Sequence, residues 1–160
     1  MRLKILWVGR TRNESVRALS DDYLGRLAHF FACEVREARD VSRVRGVRGP
    51  DLVAAEAGEI EKLMPDGCRL VALDERGEQM SSSQFAHWLG SELNRGTREL
   101  AFVIGGAEGL SERILNRAQL RLSLGRMTWT HEMCRVLLLE QVYRALCIVR
   151  KVPYHKGGDR

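Results

Sequence analysis

The 160-residue sequence contains no apolar run that approaches the roughly 20 residues needed for a membrane-spanning helix. The apolar stretch nearest the N-terminus, residues 5–8, is too short for the core of a signal peptide, and no small-residue cleavage site follows it. These absences argue against a membrane-spanning or exported protein. We therefore expect a cytosolic protein.

Closely spaced cysteines are also missing. The four cysteines, Cys33, Cys68, Cys134 and Cys147, include no C-x-x-C pair. Zinc sites and redox-active pairs usually need two thiols close together in sequence. We therefore expect free, buried thiols in a reducing compartment, and no metal site.

Two common nucleotide-binding signatures are absent as well. A phosphate-binding P-loop would end in Gly-Lys-Ser/Thr, whereas the most glycine-rich segment here ends in Gly109-Leu110-Ser111. A dinucleotide-binding fingerprint needs three glycines after the first strand, and Gly9 stands alone there. The sequence thus disfavours a nucleotide-binding module of either kind.

The charge is basic. Lys and Arg number 26 against 21 Asp and Glu, which gives a net charge of +5. A phosphate-rich partner would suit this balance, although an ordinary basic surface would also produce it. Arginines cluster around two glycines, which predicts an exposed loop that could lie along an RNA backbone: Arg36, Arg39, Arg43, Arg45 and Arg48.

Short apolar runs alternate with helical repeats along the whole chain. The pattern predicts strands at residues 3–8, 33–37, 69–73, 99–104 and 120–124. It predicts helices at residues 16–30, 51–63, 81–93, 110–118 and 131–150, and a turn at residues 74–77. The alternation indicates one α/β domain, residues 1–160, with a mostly parallel sheet covered by helices.

Two strand ends could form a ligand site. Glycines after the fourth strand, residues 105–109, would let backbone approach a ligand where open α/β sheets bind theirs. Residues 122–129 after the fifth strand could wrap a flat heterocycle. The alternatives are a tight turn and an ordinary βα connection, and these segments alone do not decide between them.

The last helix is apolar on more than one face, which indicates either deep burial or contact with a second subunit. If a second subunit covers the helix, we expect Leu139 to face it. Glu140 and Arg144 are spaced to pair on this helix, either at a site or as a structural ion pair. Beyond it, Tyr154, His155 and Lys156 could stack on a base, move a proton and hold a phosphate, unless the tail is simply frayed.

Taken in order, these segments resemble the bacterial ribosomal RNA large subunit methyltransferase H family of the SPOUT class. The matching motifs are L-D-x-x-G at residues 73–77, I-G-G-x-x-G-L at 104–110, L-S-x-x-x-M/L-T at 122–128, H-x-x-x-R at 131–135, E-Q-x-Y-R-A at 140–145 and P-Y-H-R/K at 153–156. Thr130 stands where the family usually has proline, and Trp129 where leucine or phenylalanine is commoner.

The resemblance implies a SPOUT fold with a C-terminal trefoil knot, which periodicity alone could not show. It implies a homodimer that uses S-adenosyl-L-methionine to methylate N3 of a pseudouridine in 23S rRNA, within the ribosome. Carried over by position, the cofactor-binding residues are Leu73, Gly105, Leu124, Gly125, Arg126, Met127, Thr128 and Trp129.

The N3–H of pseudouridine is neutral at physiological pH, so methylation requires an acceptor for its proton. His155 is the expected acceptor, with Glu140 or water as the alternatives. Tyr154 would orient the base, and three cations would hold RNA phosphates: Arg135, Arg144 and Lys156. The rival function is a ribosome-binding factor that retains the fold but not the chemistry.

Overall fold

The structure, a computed structural model, describes residues 1–154. It has five strands: β1 Arg2–Val8, β2 Cys33–Ala38, β3 Arg69–Gln79, β4 Glu99–Ile104 and β5 Leu120–Ser123. They form one sheet in the order β2-β1-β4-β3-β5, and every neighbouring pair is parallel. The prediction of an α/β fold with a parallel sheet is confirmed.

The helices are α1 Glu14–Ala28, α2 Gly49–Glu61, α3 Ser82–Asn94, α4 Glu112–Leu115 and α5 His131–Val149. Side-chain caps fix where several of them begin. Asn13 accepts a hydrogen bond from the Val16 amide, and Ser81 forms a reciprocal capping box with Gln84. Helix α4 is one turn long, much shorter than the nine residues predicted from its apolar pattern. Within residues 1–154, no helix has both the length and the apolar character needed to cross a membrane.

Helices cover both faces of the sheet, as a parallel sheet requires. Because side chains alternate along a strand, β1 sends Leu3, Ile5 and Trp7 into the core cluster shared with α1, α3 and α5. The intervening Leu6 and Val8 join the second cluster, shared with α2 and α4.

The apolar side chains around helix α5 are buried by other elements of the same chain. The helix packs between α1 and α3, and Leu138, Leu139 and Leu146 are fully buried there. The expectation that Leu139 faces a second subunit is therefore wrong, because its side chain lies in the core of its own chain. The trefoil knot remains a prediction.

The predicted turn at residues 74–77 is an interruption within β3 rather than its end. Leu73 and Glu78 both lie opposite Leu122 of β5, so the four intervening residues leave the ladder and the strand then rejoins it. Gly77 makes this possible, because a Cβ there would lie 2.6 Å from the Arg121 carbonyl oxygen. We call residues 74–77 the β3 bulge.

Candidate active site

A cleft of about 780 Å³ opens at the C-terminal ends of β3, β4 and β5. Its volume is within the range of small-molecule sites, about 300–1,000 Å³. The residues that line it come from the β3 bulge, the loop after β4, the loop after β5 and the start of α5. Seven of the eight predicted cofactor residues are among them: Leu73, Gly105, Leu124, Gly125, Met127, Thr128 and Trp129. The eighth, Arg126, is exposed outside the lining.

The loop after β4, residues 105–109, folds tightly back on itself. The Gly109 amide donates to the Gly106 carbonyl over 3.1 Å, and Gly109 has a φ of 80°. A Cβ at Gly105 would lie 2.6 Å from the carbonyl carbon and oxygen of Gly109. Glycine is therefore required at 105 by the loop's own backbone. The segment is both a tight turn and a wall of the cleft, so the two interpretations of it are compatible.

The loop after β5 is held at both ends by hydroxyl groups. The Ser123 hydroxyl donates to the Gly125 carbonyl over 3.0 Å and accepts from its amide, and Gly125 has a φ of 125°. At the other end, Thr130 caps α5 by accepting from the Met133 amide. Its φ of −63° is one that proline also adopts. Threonine thus keeps the backbone expected of the family's proline and adds a cap.

The β3 bulge supplies charged groups that sequence reasoning did not place in the cleft. Asp74, Glu75 and Arg76 all line it, and the Arg76 guanidinium lies 3.5 Å from the Asp74 carboxylate. The signal for them is the L-D-x-x-G motif, from which the resemblance assigns a cofactor role to Leu73 alone.

Comparison with known proteins identifies the class to which this cleft belongs. The family described as "Predicted SPOUT methyltransferase" matches residues 1–155. The chain belongs to the SPOUT methyltransferase family. This confirms the class and the methyltransferase activity predicted from the motifs.

Curated relatives of this SPOUT chain match it over nearly its full length. The ribosomal RNA large subunit methyltransferase H of Geotalea daltonii is 46% identical and covers 97% of this chain and 99% of its own. The protein of the same name from Rhodopseudomonas palustris is 41% identical and covers 98% of this chain and 100% of its own.

Solved structures share the fold at low sequence identity. A probable methylase family protein from Haemophilus influenzae superposes with a TM-score of 0.57 at 12% identity, over 96% of this chain and 70% of its own. A probable methyltransferase from Bordetella pertussis gives 0.53 at 14% identity, over 91% of this chain and 96% of its own. These two comparisons support the SPOUT fold alone.

The first turn of α5 closes one side of the SPOUT cleft with His131 and Cys134. Burial, followed by the positive charge of Arg135, holds the pKa of His131 below its usual value. The imidazole is therefore neutral at physiological pH. In the sequence, His131 was noted only as the residue that begins the helix.

Glu56 approaches the loop after β4 from α2, and sequence reasoning did not identify it. Its side chain is 3% exposed, and Oε2 has no hydrogen-bond partner among the described residues. A Cβ at Gly106 would lie 2.6 Å from Oε2. Burial raises the pKa of Glu56 to about 6, aided by Asp40 and Glu108 and opposed by a hydrogen bond from the Gly106 amide. The missed signal is its spacing of four residues from the buried Leu52 and Ile60.

Arg135 requires a correction. It was expected to hold an RNA phosphate, but its side chain is fully buried. The guanidinium donates to the Thr11 hydroxyl and the Val8 carbonyl, both over 2.7 Å, and lies 4.8 Å from the centre of the Trp7 ring. With no exposed surface it cannot reach a phosphate. It instead attaches the start of α5 to the end of β1.

The predicted ion pair on α5 is present, and Tyr154 of the tail is hydrogen-bonded to it. Arg144 Nε donates to Glu140 Oε1 over 2.9 Å, and the Tyr154 hydroxyl donates to the same oxygen over 3.3 Å. A hydrogen bond with Tyr23, followed by burial, raises the pKa of Tyr154, so the phenol keeps its proton. We call Glu140, Arg144 and Tyr154 the tail cluster. His155 and Lys156 lie outside the described residues.

The tail cluster and the cleft are separated along α5. Glu140 lies nine positions beyond His131 and six beyond Cys134, which corresponds to about 14 Å and about 9 Å at ~1.5 Å per residue. In one chain, the two groups of predicted site residues are therefore not brought together.

The unusual pKa of Glu56 predicts a stability difference that depends on pH. A folded pKa of about 6, above the usual 4.5, contributes stability at low pH that is lost as pH rises through 6. Glutamine does not titrate, so the free energy of unfolding of the Glu56→Gln variant does not fall in this way. Relative to that of the parent, it should rise by about 2 kcal/mol between pH 4.5 and 7. Urea denaturation at several pH values measures the difference. Glu59→Gln on the same helix is the control, and a pH-independent difference for Glu56→Gln would contradict the assignment.

Proposed function

We propose that this SPOUT methyltransferase transfers the methyl group of S-adenosyl-L-methionine to N3 of a pseudouridine in 23S rRNA, acting in the cytoplasm on the large ribosomal subunit. The observation that carries the proposal is the near-full-length similarity to proteins named ribosomal RNA large subunit methyltransferase H, at 41–46% identity. The net charge of +5 suits an RNA partner.

The cleft has the character that S-adenosyl-L-methionine requires. Apolar side chains at the strand ends, among them Leu73, Leu122 and Leu124, line the cleft together with the backbone of the glycine loops, which suits a flat, uncharged heterocycle, and the β3 bulge adds charged groups to the same lining. Its adenine would lie between the loop after β4 and the loop after β5, against Leu73, Gly105 and Leu124. When bound, the cofactor supplies an electrophilic methyl group on a sulfonium.

The protein's contribution to the reaction is to position the groups and to remove one proton. Once the base and the methyl group are positioned, the transfer needs little covalent help from side chains. We propose that His155 accepts the N3 proton, because histidine is the side-chain type whose ordinary pKa lies close to neutrality. Glu140 is less suited, since Arg144 and Tyr154 both donate to its carboxylate. Tyr154 keeps its proton and orients the base, while Arg144 and Lys156 hold phosphates.

We also propose that the enzyme is a homodimer. The tail cluster begins six residues, or about 9 Å, along α5 beyond Cys134, the last residue of that helix that lines the cleft of its own chain. A second copy offers a way to join the two groups. Trp129 and Met133, which are 42% and 38% exposed beside the cleft, supply apolar surface for that contact. Light scattering that gives the mass of a single chain at micromolar concentration would overturn this proposal.

The backbone contact at Gly105 predicts the effect of a single methyl group on cofactor binding. We expect Gly105→Ala to weaken S-adenosyl-L-methionine binding by at least about 100-fold, because a Cβ would force Gly109 out of the loop. Isothermal titration calorimetry measures the affinity. Gly58→Ala is the matched control, since a Cβ at Gly58 would meet nothing within 4 Å. If the parent itself does not bind, the protein is a ribosome-binding factor and not an enzyme.

Loss of His155 should slow chemistry without affecting the cofactor. We expect His155→Ala to reduce the single-turnover methylation rate at saturating rRNA by about 10²–10⁴-fold, while the dissociation constant for S-adenosyl-L-methionine stays the same. Mass spectrometry of the rRNA measures the product and the modified atom. His131→Asn is the comparison variant at the cleft. A full rate for His155→Ala would exclude it as the proton acceptor.

A further inference from the structure

Five exposed arginines lie at the same edge of the sheet as the cleft. Arg10 and Arg12 follow β1, and Arg39, Arg43 and Arg45 follow β2. Because all five strands are parallel, these loops and the loops of the cleft leave the sheet at the same edge. We call these five residues the arginine surface.

Hydrogen bonds join the arginine surface to the wall of the cleft. Glu132, in the first turn of α5, accepts from the Arg12 amide over 2.7 Å and from the Asn13 amide over 3.1 Å. The Arg12 guanidinium reaches Asp40 at 3.4 Å, and the charges of both residues influence the pKa of His131, which lines the cleft. The arginine surface therefore borders the cleft across the start of α5.

The loop that carries three of these arginines is held by its own contacts. Asp40 accepts from the amide and the hydroxyl of Ser42 over 2.9 and 2.5 Å, and Val41 is buried beneath the loop. Arg48 donates to the carbonyls of Ser42 and Val47 over 3.0 and 2.7 Å. These bonds define the backbone around Arg43 and Arg45, so binding would have to order their side chains but little of the loop's backbone.

Most of these arginines have no ion-pair partner in the part of the chain that the structure describes. Only Arg12 pairs with a carboxylate, Asp40, among the five. Several other exposed arginines are paired, for example Arg2 with Glu99 and Arg113 with Glu61. Guanidinium groups without an ion-pair partner are available to donate bidentate hydrogen bonds to phosphate oxygens.

We propose that the arginine surface binds the phosphate backbone of the RNA substrate and holds the target base over the cleft. The inference rests on the proposed function and supplies the phosphate contacts that the buried Arg135 cannot make. Arg43 and Arg45 contribute through charge, while the ion pair with Asp40 fixes the position of Arg12.

The test is the salt dependence of RNA binding. For the double variant Arg43→Gln/Arg45→Gln, the slope of log affinity against log salt for large-subunit rRNA should become shallower by about 1.5, at about 0.7–0.9 per lost phosphate contact. The KM for RNA should rise by about 10-fold while kcat at saturating RNA stays within about twofold. The affinity for S-adenosyl-L-methionine should not change.

The matched control removes the same charge at the opposite edge of the sheet. Arg98 and Arg117 are exposed and directly precede β4 and the turn into β5, and the variant Arg98→Gln/Arg117→Gln should keep the parent slope. Equal changes in the slope for both double variants would overturn the inference. An unchanged slope for Arg43→Gln/Arg45→Gln would also overturn it, and an acidic protein would then be the alternative partner. RNA binding that follows the prediction without methylation would support the surface and refute the proposed activity.

Discussion

The arrangement of the whole site depends on one buried cation. Arg135 carries its charge into the space between β1 and α5, where a guanidinium without hydrogen bonds would cost several kcal/mol. Val8 and Thr11 each accept a hydrogen bond from the guanidinium and the face of Trp7 lies against it, which offsets part of that cost, while Nε has no hydrogen-bond partner among the described residues. A lysine could not donate in two directions with the same fixed geometry. This contact holds the first turns of α5 against the end of β1.

Helix α5 then links three surfaces that are separate in the sequence. Its first turn supplies His131 to the cleft and Glu132 to the loop that carries Arg12. Its central part fills the core between α1 and α3. Its second half carries Glu140 and Arg144, against which Tyr154 packs. Any shift in the start of the helix would therefore move the cleft wall and the tail cluster together.

Much of this could be predicted from the sequence, because the relevant signals are local. Apolar runs mark the buried strands, and parallel strands bring their C-terminal ends to one edge, which is why Gly105 and Leu124 reach the same cleft. Spacing along a helix predicted the pair of Glu140 and Arg144. The family motifs added the class of chemistry, which no periodicity contains.

The failures share a cause, which is contact between distant parts of the chain. Nothing near Arg135 in the sequence indicates that Val8 and Thr11 would take its donors. The β3 bulge depends on how closely Gly77 approaches Arg121. An apolar helix has the same pattern whether α1 and α3 or a second subunit cover it, so the pattern of α5 could not assign Leu139 to either.

The contact between Glu56 and Gly106 has a consequence for how the chain can vary. With a carboxylate oxygen 2.6 Å from where a Cβ would be, position 106 accepts a side chain only if the end of the Glu56 side chain moves or residue 56 is shorter. Two residues fifty positions apart are therefore coupled through one contact. Among homologous sequences, a residue larger than glycine at 106 should be found more often with a short side chain at 56.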